Sequence, residues 1–352
     1  MTGEPTIVIT GAYGEGGGIL LRTALSMSVL TQRAIKVTSV RGALRKPGLS
    51  AEDIAFAKVL AQASGGELQG DEIGSRELEF APKHSVKPVS SLVDIQSLQG
   101  GKTPGNCLII AQSLFPTLAR AGAYSQLDLT GETHNNGALS FDAFDRSTLA
   151  AHRHQGLYAF ASLIKTGFGY GTQGQVSVQI EPSALNSINW VKRGQLVTHG
   201  ATITNTGVPS SAVDQASKLC AELLLQRSIE CPIEVHEVSG NEPGLSLTIW
   251  SEFEQGMGSA SGCLNRGGKP KPFVEGVVGK FFDWLDSDAT VDSYLADQLM
   301  LPAVLADGKS TYSAPIITRR LTTLAWVVKQ FMPVHITIRG KEGEPGHISI
   351  EK

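Results

Sequence analysis

The run Gly11-Ala-Tyr-Gly-Glu-Gly-Gly-Gly-Ile-Leu-Leu-Arg22 joins a short β-branched stretch, Thr6-Ile-Val-Ile-Thr10, to a segment in which Leu20, Leu21, Leu25, Val29 and Leu30 recur at helical spacing. Strand, glycine turn, helix is the reading that follows. Such a turn presents unpaired backbone N–H groups at a helix N-terminus, where an anion is favoured. The run lacks the Lys-Ser/Thr ending of a Walker loop, and its spacing is not a dinucleotide fingerprint. Read alone, it is a tight strand-to-helix turn. Glu15 is the odd residue, because a carboxylate among glycines has no packing role and can hold a divalent cation through oxygen.

Working outward, Ile35 to Val40 alternates as a strand, and the same helix-then-strand order recurs along the chain. Cys107 to Leu118 reads as a helix followed by the strand Ser125 to Thr130. Tyr294 to Leu305 precedes Ser310 to Ser313, and Leu321 to Phe331 precedes Val334 to Arg339. Two further helices, around Ala51 to Ala63 and Ser147 to Leu163, precede strands near Leu78 to Phe80 and Val176 to Ile180. Each amphipathic helix must bury its apolar face on a sheet, so the repetition predicts an α+β domain built from similar α/β-type units.

Between Asn186 and Lys271 the texture changes. Strands near Gln195 to Thr204, Ile233 to Val238 and Leu245 to Trp250 flank a helix around Ser211 to Leu225. Glycine-rich Gly256 to Gly262 and Gly267 to Pro272 read as the loop by which the chain returns. The expected organisation is a discontinuous large domain, residues 1–185 and 272–352, with a smaller α/β domain, residues 186–271, inserted.

With 352 residues, 41% apolar and 18% charged, the chain is long and apolar enough for two cored domains. A formal net charge of −3 excludes a protein that coats nucleic acid by bulk electrostatics. No apolar run reaches the roughly 18 residues of a membrane span, and no basic-then-apolar leader opens the chain, so a cytoplasmic location is expected. Cys107, Cys220, Cys231 and Cys263 are too dispersed for a disulfide framework or a zinc ribbon and read as free thiols. The charge is unevenly placed. From Gly16 to Ser50 there is no acid, while Arg22, Arg33, Lys36, Arg41, Arg45 and Lys46 all fall there. Charge runs are usually solvated, but this one adjoins the glycine turn and suits contact with phosphate.

Glu15-Gly-Gly-Gly18 followed by Leu21-Arg-Thr-Ala-Leu-Ser26, then Thr38-Ser-Val-Arg41 and Lys46-Pro-Gly-Leu49, resembles the amino-terminal signature of the RNA 3′-terminal phosphate cyclases. Tyr294-Leu-Ala-Asp-Gln298 resembles that family's ATP-site motif, and Gln112 matches its other nucleotide-contacting glutamine. The resemblance runs from Ile7 to about Ile338. It implies an enzyme that uses ATP and Mg²⁺ or Mn²⁺ to adenylate itself on a histidine, passes AMP to an RNA 3′-phosphate, and closes a 2′,3′-cyclic phosphate. RNA 3′ ends are the implied partner, with neither membrane nor DNA. The implied ATP site is Gln112, Tyr294, Leu295, Ala296, Asp297 and Gln298. Glu15 is the implied metal ligand, and Arg22 and Arg41 would neutralise the transferring phosphates. The implied fold is three repeated two-helix, four-stranded units with a small α/β domain inserted. Taken alone, Tyr294 to Gln298 also reads as ordinary helix with Leu295 and Leu299 on its buried face.

Three segments depart from the family pattern. Its nucleophilic histidine sits in a His-x-x-Thr context, and here Arg320 stands there, within Ile317-Thr-Arg-Arg-Leu-Thr-Thr323. Guanidinium stays protonated and cannot be a nitrogen nucleophile, although it can bind phosphate. Thr133-His-Asn-Asn136 replaces Thr-Asp-Asn-Pro, which makes His134 a candidate substitute nucleophile, although a lone histidine in a polar loop is more often structural. Thr166-Gly-Phe-Gly-Tyr-Gly-Thr-Gln-Gly174 keeps only the first and last glycines of a third signature. Two functions follow: an ATP-dependent cyclase with its histidine replaced, or a catalytically inactive cyclase-like RNA-binding protein in RNA processing or ribosome biogenesis.

Overall fold

The structure is a computed structural model that describes residues 5–98, 105–264 and 267–352. The first unit comprises β1 (Ile7–Thr10), α1 (Gly18–Thr31), β2 (Ile35–Thr38), α2 (Ala51–Ser64), β3 (Glu67–Gln69) and β4 (Leu78–Ala81). The second comprises β5 (Ser90–Asp94), α3 (Cys107–Leu118), β6 (Ser125–Gly131), α4 (Phe141–Ala143) running through a π-helical turn, residues 144–149, into α5 (Ala150–His154), then β7 (Ala159–Lys165) and β8 (Gly174–Ile180). Next come β9 (Leu196–Thr206), α6 (Ser210–Leu225), β10 (Ile233–Glu237), β11 (Gly244–Phe253), β12 (Gly256–Cys263) and α7 (Pro270–Leu285). The third unit ends the chain with α8 (Ser293–Leu305), β13 (Lys309–Ala314), α9 (Arg319–Lys329), β14 (His335–Arg339) and β15 (Gly346–Glu351).

The three units share one topology. Sheets run β1-β2-β4-β3 and β5-β6-β8-β7, each with a parallel first pair followed by antiparallel neighbours. The third sheet, β13-β15-β14, is antiparallel. Its parallel edge is supplied by the chain before the insert: Trp190 N donates to Thr311 O and Thr311 N to Ile188 O, both at 2.7 Å. The fold is therefore α+β, with three repeated α/β-type units. Helices of all three units pack together, α1 lying against α2, α3 and α9. Flanked in this way, α1 is buried on nearly every side, and Leu20, Leu21, Leu25 and Met27 join one core common to the units.

The remaining sheet, β10-β9-β11-β12, has its own core with α6 and α7, built on Ile203, Cys220, Leu247, Val277 and Phe281. Its membership moves both expected boundaries. Ile188 and Trp190 belong to the large core, because they lie beside the third sheet, whereas α7, beyond residue 271, packs in the smaller core through Val274 to Trp284. The run from β9 to α7, with its own core, thus lies in the chain between the third unit's edge, residues 188–190, and α8.

Two local expectations are corrected. The helix expected over Ser147 to Leu163 stops at His154; Ala159, Ala161 and Leu163 alternate with the more exposed Phe160, Ser162 and Ile164 as β7, paired with β8. Gly256 to Gly262 is not a loop but most of β12. A Cβ on Gly258 would sit 2.5 Å from the Trp284 ring, so absent side chains are what let α7 lie flat on that strand.

Candidate functional site

A cleft of about 330 Å³ forms where the N-terminal ends of α1, α8 and α9 meet the side of α3. Glu15, Arg22, Arg41, Gln112, Tyr294, Asp297, Gln298 and Arg320 all line it. Gln112 and Gln298 occupy matching places in their units. Each lies on the first helix, four residues before a proline inside that helix, Pro116 or Pro302. Gln298 Oε1 is oriented by the Thr148 hydroxyl at 2.8 Å.

The Glu15 turn is held by α9. Thr323 Oγ1 accepts from Glu15 N at 3.0 Å and donates to Arg319 O at 2.7 Å. A Cβ on Gly14, whose φ is +60°, would lie 2.1 Å from that hydroxyl. The threonine of the His-x-x-Thr context therefore docks the glycine turn, a role with no signal in local sequence.

Arg22 and Arg41 are gathered by carboxylates lying outside the acid-free segment. Arg22 Nη1 lies 3.5 Å from both Glu52 and Asp53, and Arg41 Nε donates to Asp53 Oδ2 at 2.8 Å. Asp53 also accepts from Ser50 N at 3.1 Å, closing the capping box of α2. Glu52 Oε1 in turn accepts from Asn106 N at 3.0 Å, at the start of α3. Burial raises the Glu52 pKa, with Arg22 opposing the rise. For Arg41, burial works against the charge and Asp53 more than offsets it. The basic run is thus partly neutralised, since Lys36 also pairs with Glu77 and Glu79 at 3.0 and 3.1 Å, whereas Arg45 and Lys46 remain exposed.

On the opposite wall, Asp297 Oδ2 accepts from Arg320 Nε at 2.7 Å and Oδ1 from Thr318 Oγ1 at 2.7 Å. Thr318 is the N-cap of α9, its hydroxyl accepting from Leu321 N at 3.0 Å. Burial pushes the Asp297 carboxyl up to about 6, against the opposing pull of Arg320 and the Thr318 hydrogen bond. The Arg320 guanidinium carbon lies 5.4 Å from the Tyr294 ring centroid.

Two residues of the expected ATP site sit elsewhere: Leu295 and Ala296 are in the core, and Ala296 O accepts from Tyr312 Oη at 3.0 Å. No histidine lines this cleft among the described residues. His134 is fully buried in a different place, its Nδ1 2.8 Å from Thr133 Oγ1, its Nε2 3.4 Å from Asp142 and its ring stacked on Phe168. Cysteines offer no substitute, because burial pushes the thiols of Cys107, Cys220 and Cys263 up to about 12 and that of Cys231 to about 11. Arg193 is committed structurally, clamping the end of α7 through Trp284 O and Leu285 O at 2.7 and 2.8 Å. Lys192, Lys269 and Lys271 are exposed on the insert, and Arg266 lies outside the described residues.

Among the described residues, no three metal-ligating side chains gather. Among the described residues Glu15 faces the cleft with no close ion pair, although its charge is felt by Arg41 and Arg320, whereas Asp297 is directly engaged by Arg320 and Thr318. A lone carboxylate fits a magnesium-type ion that takes its other ligands from phosphates and water, and it does not fit an all-protein cage.

Comparison with known proteins places this geometry. The family described as RNA 3′-terminal phosphate cyclase matches residues 13–338. A protein of that name from Nostoc sp. is 30% identical over 96% of this chain and 97% of its own length. One from Ralstonia nicotianae is 32% identical over 96% and 94%, and one from Methanopyrus kandleri is 28% identical over 98% of each. With matches spanning both the cleft residues and all three repeated units, the chain belongs to the RNA 3′-terminal phosphate cyclase family.

Proposed function

We propose that the chain binds ATP in this cleft and converts an RNA 3′-phosphate to a 2′,3′-cyclic phosphate by direct transfer of AMP, with no nucleotide carried on the protein. The reading places this work in the cytoplasm. The observation that supports it is the convergence of Glu15, Gln112, Tyr294, Asp297, Gln298 and Arg320 on one cleft that contains no imidazole among the described residues. In the first step an oxygen of the RNA 3′-phosphate attacks the α-phosphorus of ATP and the bond to diphosphate breaks. In the second, the 2′-oxygen attacks the 3′-phosphorus, AMP leaves with the bonding pair, and the 2′-hydroxyl proton passes to solvent.

A phosphate monoester dianion repels a nucleophile, and adenylation turns one of its oxygens into part of a good leaving group. Tyr294 offers an exposed ring for the adenine, and Gln112 and Gln298 offer amide groups to orient it. Arg22, Arg41 and Arg320 supply fixed positive charge where negative charge gathers, and their carboxylate partners hold them in place before substrate arrives. Glu15 would hold a divalent cation, which when bound polarises phosphate oxygens.

Incubation with α-labelled ATP, Mg²⁺ and an oligoribonucleotide ending in a 3′-phosphate tests this. The expected result is cyclised RNA with no label on acid-quenched or unquenched protein. Acid-labile protein label would show that another residue is the nucleophile. ATP binding without product would leave the second reading, an inactive cyclase-like RNA-binding protein, which the loss of the histidine favours.

A further inference from the structure

A second cavity, of about 370 Å³, opens where the large domain meets the insert. His134, Asn135, Phe168, Tyr170 and Thr172 line it from one side and Glu242 from the other. Its wall is built from two of the stretches that depart from the family pattern, Thr133 to Asn136 and Thr166 to Gly174. Distant in sequence, they are joined in space. His134 N donates to Gly167 O at 3.1 Å, and Gly169 N donates to His134 O at 2.9 Å. The His134 and Phe168 rings stack with centroids 4.6 Å apart. Buried Glu132 ties both stretches, accepting from Gly171 N at 2.7 Å and from Asn135 Nδ2 at 2.8 Å. Asn136 fastens the wall to the insert, accepting from Cys263 N at 2.8 Å and donating to Cys263 O at 2.9 Å. So many cross-ties fix the shape of the cavity.

The lining disfavours phosphate and suits a base. No lysine or arginine lines the cavity among the described residues, and Glu242 adds negative charge. Tyr170 is 65% exposed, leaving its aromatic face open for stacking. Asn135, its amide nitrogen held by Glu132, adds an amide oxygen, and the Thr172 hydroxyl, which donates to Gly169 O at 2.8 Å, adds an acceptor. Position completes the case, because the two cavities share one loop: His134, Asn135 and Asn136 line the second, and the next three residues, Gly137, Ala138 and Leu139, line the nucleotide cleft. A site rich in fixed cations thus adjoins one that is aromatic and free of them.

We infer that the second cavity receives the nucleobase of the RNA's 3′-terminal nucleotide, stacked on Tyr170 with its hydrogen-bonding edge toward Glu242 and Asn135, while the 3′-phosphate lies by Arg22 and Arg41. The inference rests on the reading of the chain as an RNA 3′-end enzyme. It assigns selection of the RNA end to two segments in which this chain differs from its family's pattern.

Fluorescence anisotropy with a labelled oligoribonucleotide 3′-phosphate tests it, using wild type, Tyr170→Ala and Tyr170→Phe against the intact oligonucleotide and one whose terminal nucleotide lacks its base. Tyr170→Ala is expected to weaken binding about ten-fold, as loss of one base-aromatic stack does, and Tyr170→Phe to restore it. The abasic oligonucleotide should lose a similar factor with wild type and nothing further with Tyr170→Ala. Unchanged affinity for the abasic oligonucleotide, or losses that multiply, would overturn the assignment of this cavity alone. Failure of wild type to bind any 3′-phosphate oligonucleotide, while ATP still raises its melting temperature, would overturn the RNA-end reading and this inference with it. Retention of that ATP effect by Tyr170→Ala shows that the variant is folded.

Discussion

Arg320 Nε lies 2.7 Å from Asp297 Oδ2, so the residue proposed to stand in place of the nucleophile is bound to an acid of the proposed ATP site. The pair couples α9 to α8 and leaves the outer part of the guanidinium facing the cleft, where it can meet a phosphate but cannot attack one.

Restoring the imidazole tests that account. Arg320→His places a nitrogen nucleophile beside a carboxylate able to orient it, with Thr323 still docking the Glu15 turn. With α-labelled ATP and a divalent cation, this variant is expected to acquire an acid-labile, alkali-stable label that wild type lacks. Equal absence of label from both proteins would show that the surrounding cleft has lost the geometry for covalent transfer.

The Asp297 carboxyl titrates near 6 in the folded chain because burial disfavours its charge, against an ordinary value of 3.8. A raised acid binds its proton more tightly when folded. Its stabilising contribution is therefore fully present below pH 3.8 and is lost as pH rises through about 6. The urea midpoint of wild type relative to Asp297→Asn is expected to fall between pH 4 and pH 7. A difference that stays flat, or rises, over that interval would contradict the burial-driven shift.

Much of the fold was legible because helices with repeating apolar positions declare themselves locally: Cys107–Leu118 runs as its periodicity predicts, and α1, α2, α6, α8 and α9 lie within a residue or two of their expected bounds. What was hidden depends on partners far along the chain. Residues 188–190 read as part of the insert because their pairing strand, β13, begins more than a hundred residues later. Glycine-rich β12 read as a loop because its reason for lacking side chains is Trp284 on another helix. At the site, Arg22 and Arg41 were visible as unopposed charge only while Glu52 and Asp53 remained outside the segment being read. The roles of Thr318 as a cap and of Thr323 in docking the glycine turn gave no signal, since a hydroxyl's role is set by the geometry around it.

Thr323 can be separated from general packing by isosteric change. Thr323→Val keeps the shape but removes the acceptor for Glu15 N and the donor to Arg319 O. Loss of a buried hydrogen bond of this kind costs about 1 kcal/mol. Thermal and urea unfolding are expected to show a loss of that order, with Thr323→Ser close to wild type. If the hydroxyl docks Glu15, the variant should also lose more of its ATP stabilisation when Mg²⁺ is present than when it is absent.

The nucleotide site itself stands on a simpler measurement. ATP with Mg²⁺ or Mn²⁺ is expected to raise the melting temperature of wild type, because a ligand that binds only the folded chain stabilises it by RT ln(1 + [ATP]/Kd). Glu15→Ala removes the one cleft carboxylate without an ion-pair partner among the described residues, so it should diminish the metal-dependent part of the shift. Gln298→Ala removes an amide held toward the cleft by Thr148 and should diminish the shift with or without metal. The two variants therefore differ in their response to added cation, which a nonspecific loss of stability would not produce. No shift in wild type at millimolar ATP would sink the nucleotide assignment, and with it the reading of Tyr294, Asp297 and Gln298 as anything more than one face of a helix.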